Sequence, residues 1–211
     1  MKKNVLLIFS VLVLFASPSF GQGYEGKGDV MLNLGIGLLG NRGNYFDNYN
    51  NYNNYNSTKL PAIISSLEFG VHDYISVGPY LSWQHRWFGY DNGYNYHKKI
   101  RESWTNFGAR ASFHFTSFLN DKLRTAIPEN LDLYAGVFLG MDIYHKTTIQ
   151  NYDYDNISDT REGEASAGAT TGLIAAGARY YFSPGFGVFL EVSPFYWGSL
   201  NYIETGFAFK F

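Results

Sequence analysis

Between Asp29 and Leu38 the chain alternates without a break: Val30, Leu32, Leu34, Ile36 and Leu38 fall on one side, and Met31, Asn33, Gly35 and Gly37 on the other. Successive side chains of an extended backbone point to opposite faces, so strict period two marks a strand with one apolar face. Its length matches the roughly 9–11 residues that a tilted strand needs to cross the hydrocarbon of a membrane. The same period returns at Ile63–His72, Ile75–Gln84, Thr105–Phe115, Leu131–Asp142, Ile174–Tyr181, Val188–Tyr196 and Ile203–Phe211. The sequence therefore predicts an all-β fold with eight antiparallel strands in up-and-down order, closed into a transmembrane β-barrel.

The connections alternate too. Gly40–Lys59, Phe88–Glu102 and Lys146–Glu164 read as long polar loops rich in Asn, Asp and Tyr, whereas His72–Tyr74 and Ser183–Gly185 read as tight turns. Long loops at one end and short turns at the other is the asymmetry of outer-membrane barrels. Thr116–Asn130 is a long connection on the turn side, and Gly198–Asn201 a short one on the loop side. Pro79 and Pro194 each remove a ladder hydrogen bond, which predicts bulges there.

A water-soluble barrel would also close eight strands, so the faces must decide. One face of every strand is almost continuously apolar, while the other collects Gly, Ser and the charges Glu68, Arg110, Arg179, Glu191, Glu204 and Lys210. The narrow interior of an eight-stranded barrel suits small residues and a few paired charges. Trp83, Trp87, Trp104 and Tyr196 toward the loops, and Phe115, Phe182 and Phe207–Phe211 toward the turns, read as two interfacial girdles.

Export is expected as well. Lys2 and Lys3 precede an apolar run from Val5 to Ala16, and Ser19 and Gly21 suit a cleavage site before Gln22. A run this short does not span a bilayer as a helix. The expected organisation is a signal peptide over 1–21 and a barrel over 22–211. Without Lys2 and Lys3 the chain keeps 14 basic and 18 acidic residues, and this balance gives no basic patch for nucleic acid. The absence of cysteine excludes disulfides, thiolate metal sites and a lipidated N-terminal cysteine.

Phe207, Phe209 and Phe211 form a second, independent signal. The segment Tyr202–Phe211 resembles the C-terminal strand of bacterial outer-membrane proteins, which ends in an aromatic residue with further aromatics at alternate positions. The resemblance implies recognition by the barrel-assembly machinery. The whole chain after Gly21 resembles the small eight-stranded porin-family barrels common in Bacteroidetes, related in architecture to the OmpA transmembrane domain and to OmpX. That implies a place in the outer membrane, contact with its lipid, and a monomer as the simplest state.

Glu68, Arg110, Arg179 and Glu191 are the candidate site. Counted from the turns, all four fall in the turn-side half of the lumen. A charge in a narrow interior must be paired, because leaving it alone costs several kcal/mol. The expectation is a plug of salt bridges; the alternative is a gate whose partner exchange opens a thin water path, as the resemblance to the OmpA barrel allows. His72, His85, His97, His114 and His145 lack ligand spacing, so neither metal nor cofactor is expected. A lipid-modifying hydrolase needs an outward Ser/His pair, whereas Ser112 and His114 point inward and His85 faces outward without Ser82. The sequence thus favours a non-enzymatic envelope or surface-contact protein, ahead of a narrow pore and of an enzyme. Asn44–Asn56 is a low-complexity Asn/Tyr loop suited to adaptable contacts, and the sequons at Asn56 and Asn156 read as chance.

Overall fold

A computed structural model describes residues 22–40, 55–91, 96–152, 160–195 and 201–211. The segment 1–21, most of the Asn/Tyr loop and Tyr196 lie outside these residues. Among the described residues nine strands occur: β1 Val30–Gly40, β2 Tyr55–Lys59, β3 Ala62–His72, β4 Ile75–Asp91, β5 Tyr96–His114, β6 Leu131–Tyr152, β7 Thr160–Ser183, β8 Phe186–Phe195 and β9 Asn201–Lys210. β2 and β3 both pair with β4 on either side of Leu60–Pro61, so they share one place in the wall. Each neighbouring pair is antiparallel, and β1 pairs with both β3 and β9, which closes an eight-position barrel in up-and-down order. Closure satisfies every edge in the membrane layer, a condition that lipid imposes because no water is there to bond free backbone groups.

The faces fall as the alternation predicts. Leu34, Ile36, Phe69, Val77, Leu81, Val137, Leu139, Met141, Leu190 and Phe207 are exposed on the outside, while Asn33, Ser66, Glu68, Ser76, Arg110, Asp132, Arg179 and Glu191 are buried inside. An apolar exterior around a charged interior inverts the arrangement of a soluble barrel. At the turn end, Phe186 packs on Phe207 and Phe209 with centroids 5.7 and 5.5 Å apart, in a row continued by Phe182.

Several expectations are corrected. Much of Phe88–Glu102 and Lys146–Glu164 is strand, because β4, β5, β6 and β7 run for 17, 19, 22 and 24 residues. Hairpin pairing continues beyond the apolar belt, where polar side chains hide the period-two signal. Trp104 is not in the girdle; its phase on β5 turns it inward, where it is buried beside Arg86. Pro79 makes no bulge: the β4–β5 register runs through it unchanged, and its missing donor coincides with a lapse in the β3–β4 ladder. At Pro194 the expected irregularity is present, as a register shift between Ala176–Val192 and Ile174–Phe195.

Thr116–Asn130 contains a helix, α1, at Phe115–Leu123. The spacing Phe115, Phe118, Leu119 and Leu123 has a period near 3.6 and was the available signal. Arg124 ends the helix in the left-handed region (φ 52°), with its N–H donating to the Leu119 carbonyl. Asn120 ties down the exit, donating to the Ile127 carbonyl at 2.9 Å and accepting from the Ile127 N–H at 3.2 Å.

The candidate site in the lumen

The four candidate charges meet in one network across the lumen. Their pairing is set by the barrel rather than by strand adjacency. Arg110 on β5 donates from Nη2 to the Glu191 carboxylate on β8 at 2.7 Å, and its Nε lies 3.3 Å from Glu68 on β3. Arg179 on β7 reaches across to Glu68, and also donates to Asp132 on β6 at 2.9 Å and to Asn33 on β1 at 3.1 Å. Every one of these side chains is buried. The Tyr134 hydroxyl donates to Glu191 at 2.9 Å, and its ring lies 4.0 Å under the Arg179 guanidinium. A planar guanidinium suits this role because several fixed donors serve carboxylates in different directions while its face stacks on an aromatic ring.

Asn33, Asp132, Ser76 and Tyr134 were not among the sequence candidates, and His114 was weighed only as a metal ligand or as a partner for Ser112. Each shares the inward phase of its strand, which was the legible clue; which of them touch depends on how far strands are sheared past one another.

His114 Nδ1 faces Asp132 at 2.9 Å, and Nε2 lies 2.9 Å from the Ser76 hydroxyl. Carboxylate, imidazole and serine stand in hydrolase order. Ser76 gives its single proton to Glu68 at 2.7 Å and is wholly buried. Arg110 and Arg179, with the His114 imidazole beside them, face the carboxylates of Glu68, Asp132 and Glu191. The serine that sequence pairing offered, Ser112, accepts from Arg110 at 3.1 Å instead. Among the described residues no group of three or more His, Cys, Asp or Glu side chains is placed to hold a metal ion.

Below the network the chain from Gly23 to Asp29 crosses the turn-side mouth. Tyr24 stacks flat on His114, with centroids 3.6 Å apart and planes 10° from parallel. Its hydroxyl lies 2.6 and 2.7 Å from the carbonyls of His72 and Ile75, and burial together with nearby carboxylates raises its pKa well above the ordinary phenol value. Lys210 Nζ fixes the same segment through the Gly23 carbonyl at 2.7 Å and Glu25 at 2.9 Å. Gly26 (φ +124°) makes the tight approach to Asp73, in a backbone conformation that side chains rarely adopt. Removing the ring by Tyr24→Ala is expected to free this strap; trypsin should then cut at Lys27 well before any strand, and equal cutting rates in both proteins would show that the ring does not hold it.

Above the network lies a second polar group. Arg86 Nε meets Glu102 at 2.6 Å, Tyr144 donates to the other Glu102 oxygen at 2.8 Å, and the Arg86 guanidinium covers Trp104 at 4.9 Å. Tyr80 and Phe138, edge to face at 5.0 Å, sit between the two layers.

No family model matches the chain, and no curated protein matches it. Among solved structures it is similar to Ail, the attachment invasion locus protein of Yersinia pestis, in complex with the heparin analogue sucrose octasulfate (12% identity, 88% of this chain and 99% of that one, TM-score 0.45). It is also similar to the N-terminal β-barrel domain of Pseudomonas aeruginosa OprF (14% identity, 88% and 99%, TM-score 0.37). Strand closure, the outward apolar belt and the ion-paired interior make this chain an eight-stranded transmembrane β-barrel of the outer-membrane type.

Proposed function

We propose that this protein is a non-enzymatic component of the outer membrane whose lumen is closed and whose work is done at its outer surface. The observation that carries the reading is the Arg110–Glu68–Arg179–Asp132 network, which joins β3, β5, β6 and β7 through the middle of the barrel. The strap at the turn-side mouth supports it. On this reading residues 1–21 are the export signal, Phe207, Phe209 and Phe211 are the signal for the barrel-assembly machinery, and the finished protein is a monomer in lipid.

Among the described residues, β4 to β7 carry paired strand beyond the apolar belt. β6 is twelve residues longer than β8, or roughly 40 Å of extended chain. β8 pairs with β7 only as far as Ile174–Phe195, so among the described residues the distal half of β7 is a sheet edge, with Gly163–Gly168 exposed. Such an edge, together with the Asn44–Asn56 loop, supports a surface-contact role.

Planar-bilayer recording of the refolded protein tests closure. Protein shown to be folded by its gel mobility before and after boiling is expected to give no unit steps, and Arg110→Ala to introduce them. Reproducible steps from the unaltered protein would promote the narrow-pore reading in its place.

A further inference from the structure

We propose that α1 is an interfacial anchor that lies on the phospholipid leaflet at the turn end of the barrel. The helix is built inside out for a protein in water. Three of its polar side chains face the protein: Thr116, its buried residue, accepts from the Leu133 N–H at 2.9 Å, Ser117 donates to the Tyr24 carbonyl at 2.6 Å, and Asn120 binds the Ile127 backbone, while Asp121 and Lys122 are exposed. Phe115 and Leu123 face away, and Phe118 and Leu119 are half-buried. Phe115, Leu119 and Leu123 follow one another at four-residue intervals along a single stripe; Phe115 is 40% and Leu123 64% exposed.

That stripe is continuous with the lipid-facing belt. Phe113, the last outward residue of β5, packs on Phe115 with centroids 5.0 Å apart and on Phe118 at 5.6 Å; Tyr74 meets Phe118 edge-on at 5.5 Å. Lys122 and Arg124 stand at the C-terminal end of the helix, where phosphate headgroups would meet them, and Lys122 is steadied by Asp121 at 3.1 Å and by the Tyr74 ring. No helix among the described residues is long and apolar enough to cross a membrane, so a helix with this outward stripe lies along the surface instead. Fixed points at both ends explain how nine residues stay helical, a length at which an isolated helix is marginal.

The inference rests on insertion of the barrel, and the test separates the two. Because the chain has no cysteine, single nitroxide labels can be placed at Leu123→Cys, at Leu139→Cys on the belt and at Ala165→Cys on the projecting sheet. The samples are vesicles of phosphatidylethanolamine and phosphatidylglycerol, and the readout is collision with oxygen against a water-soluble nickel chelate. Leu123 is expected to favour oxygen several-fold over Ala165, at a shallower depth than Leu139, and to do so at every protein-to-lipid ratio. If Leu123 matches Ala165 while Leu139 is lipid-like, the barrel inserts and the anchor is wrong. Protection at Leu123 that disappears on dilution in lipid would assign the stripe to a second copy and overturn the anchor; a water-like Leu139 overturns insertion itself.

Discussion

Replacing Arg179 by methionine is expected to lower unfolding stability by about 3–5 kcal/mol, the scale on which a buried ion pair loses one partner. Arg179 serves Glu68, Asp132 and Asn33 together, and none of these groups can turn to bulk water from its buried position. The change leaves Glu68 and Asp132 facing one another across the volume that the guanidinium filled. Adding Glu68→Gln should recover part of the loss and not all of it, because Asp132 and Asn33 still lack the hydrogen bonds that the guanidinium gave them and the sites are coupled. Lys146→Ala gives the internal scale: its partner Glu164 is 71% exposed at 3.5 Å, so the loss should stay below about 1 kcal/mol. Reversible urea unfolding in lipid vesicles, followed by tryptophan fluorescence, measures all four proteins. A loss at Arg179 as small as that at Lys146 would mean that water screens the network, and with it the case for a closed lumen would fall.

The second large effect belongs to the outer face. Val137 lies midway along the outward row Leu131–Ile143 of β6 and is 52% exposed in the absence of lipid. Val137→Arg is expected to cost about 2–4 kcal/mol in a bilayer, the range for a cation at the midplane of a barrel wall. In water the same substitution at an exposed strand position stays within about 0.5 kcal/mol. Ala165→Arg, on the part of β7 beyond the belt, should be near neutral in either medium. The depth dependence of one substitution thus locates the hydrocarbon layer from the protein's own energetics. Equal costs at Val137 and Ala165 would falsify the placement of the belt.

Both predictions rest on features that differ in how openly the sequence states them. The belt was legible residue by residue, because period two is a local property: the phase that places Leu34, Leu81 and Val137 outside also places Asn33, Tyr80 and Phe138 inside, and no distant contact is needed to fix it. The turns at His72–Tyr74 and Ser183–Gly185 were legible for the same reason. Outside the membrane layer that signal fades, since a strand wet on both faces has no need to alternate; Tyr96–Glu102 and Lys146–Tyr152 therefore read as loops although they are paired strand.

The sequence by itself determined the eight places in the wall, the two faces and four of the inward charges that had to be neutralised, Glu68, Arg110, Arg179 and Glu191. Only the tertiary structure decided who neutralises whom. Closure and shear set the height of each strand against strands that are distant in sequence. They bring Arg179 to Glu68 and Arg110 to Glu191, add Asp132, His114 and Ser76, and lay Tyr24 on His114. Alternation is written into neighbouring residues by the geometry of the extended chain, whereas the pairing of lumenal charges is a property of the closed wall that no single strand contains.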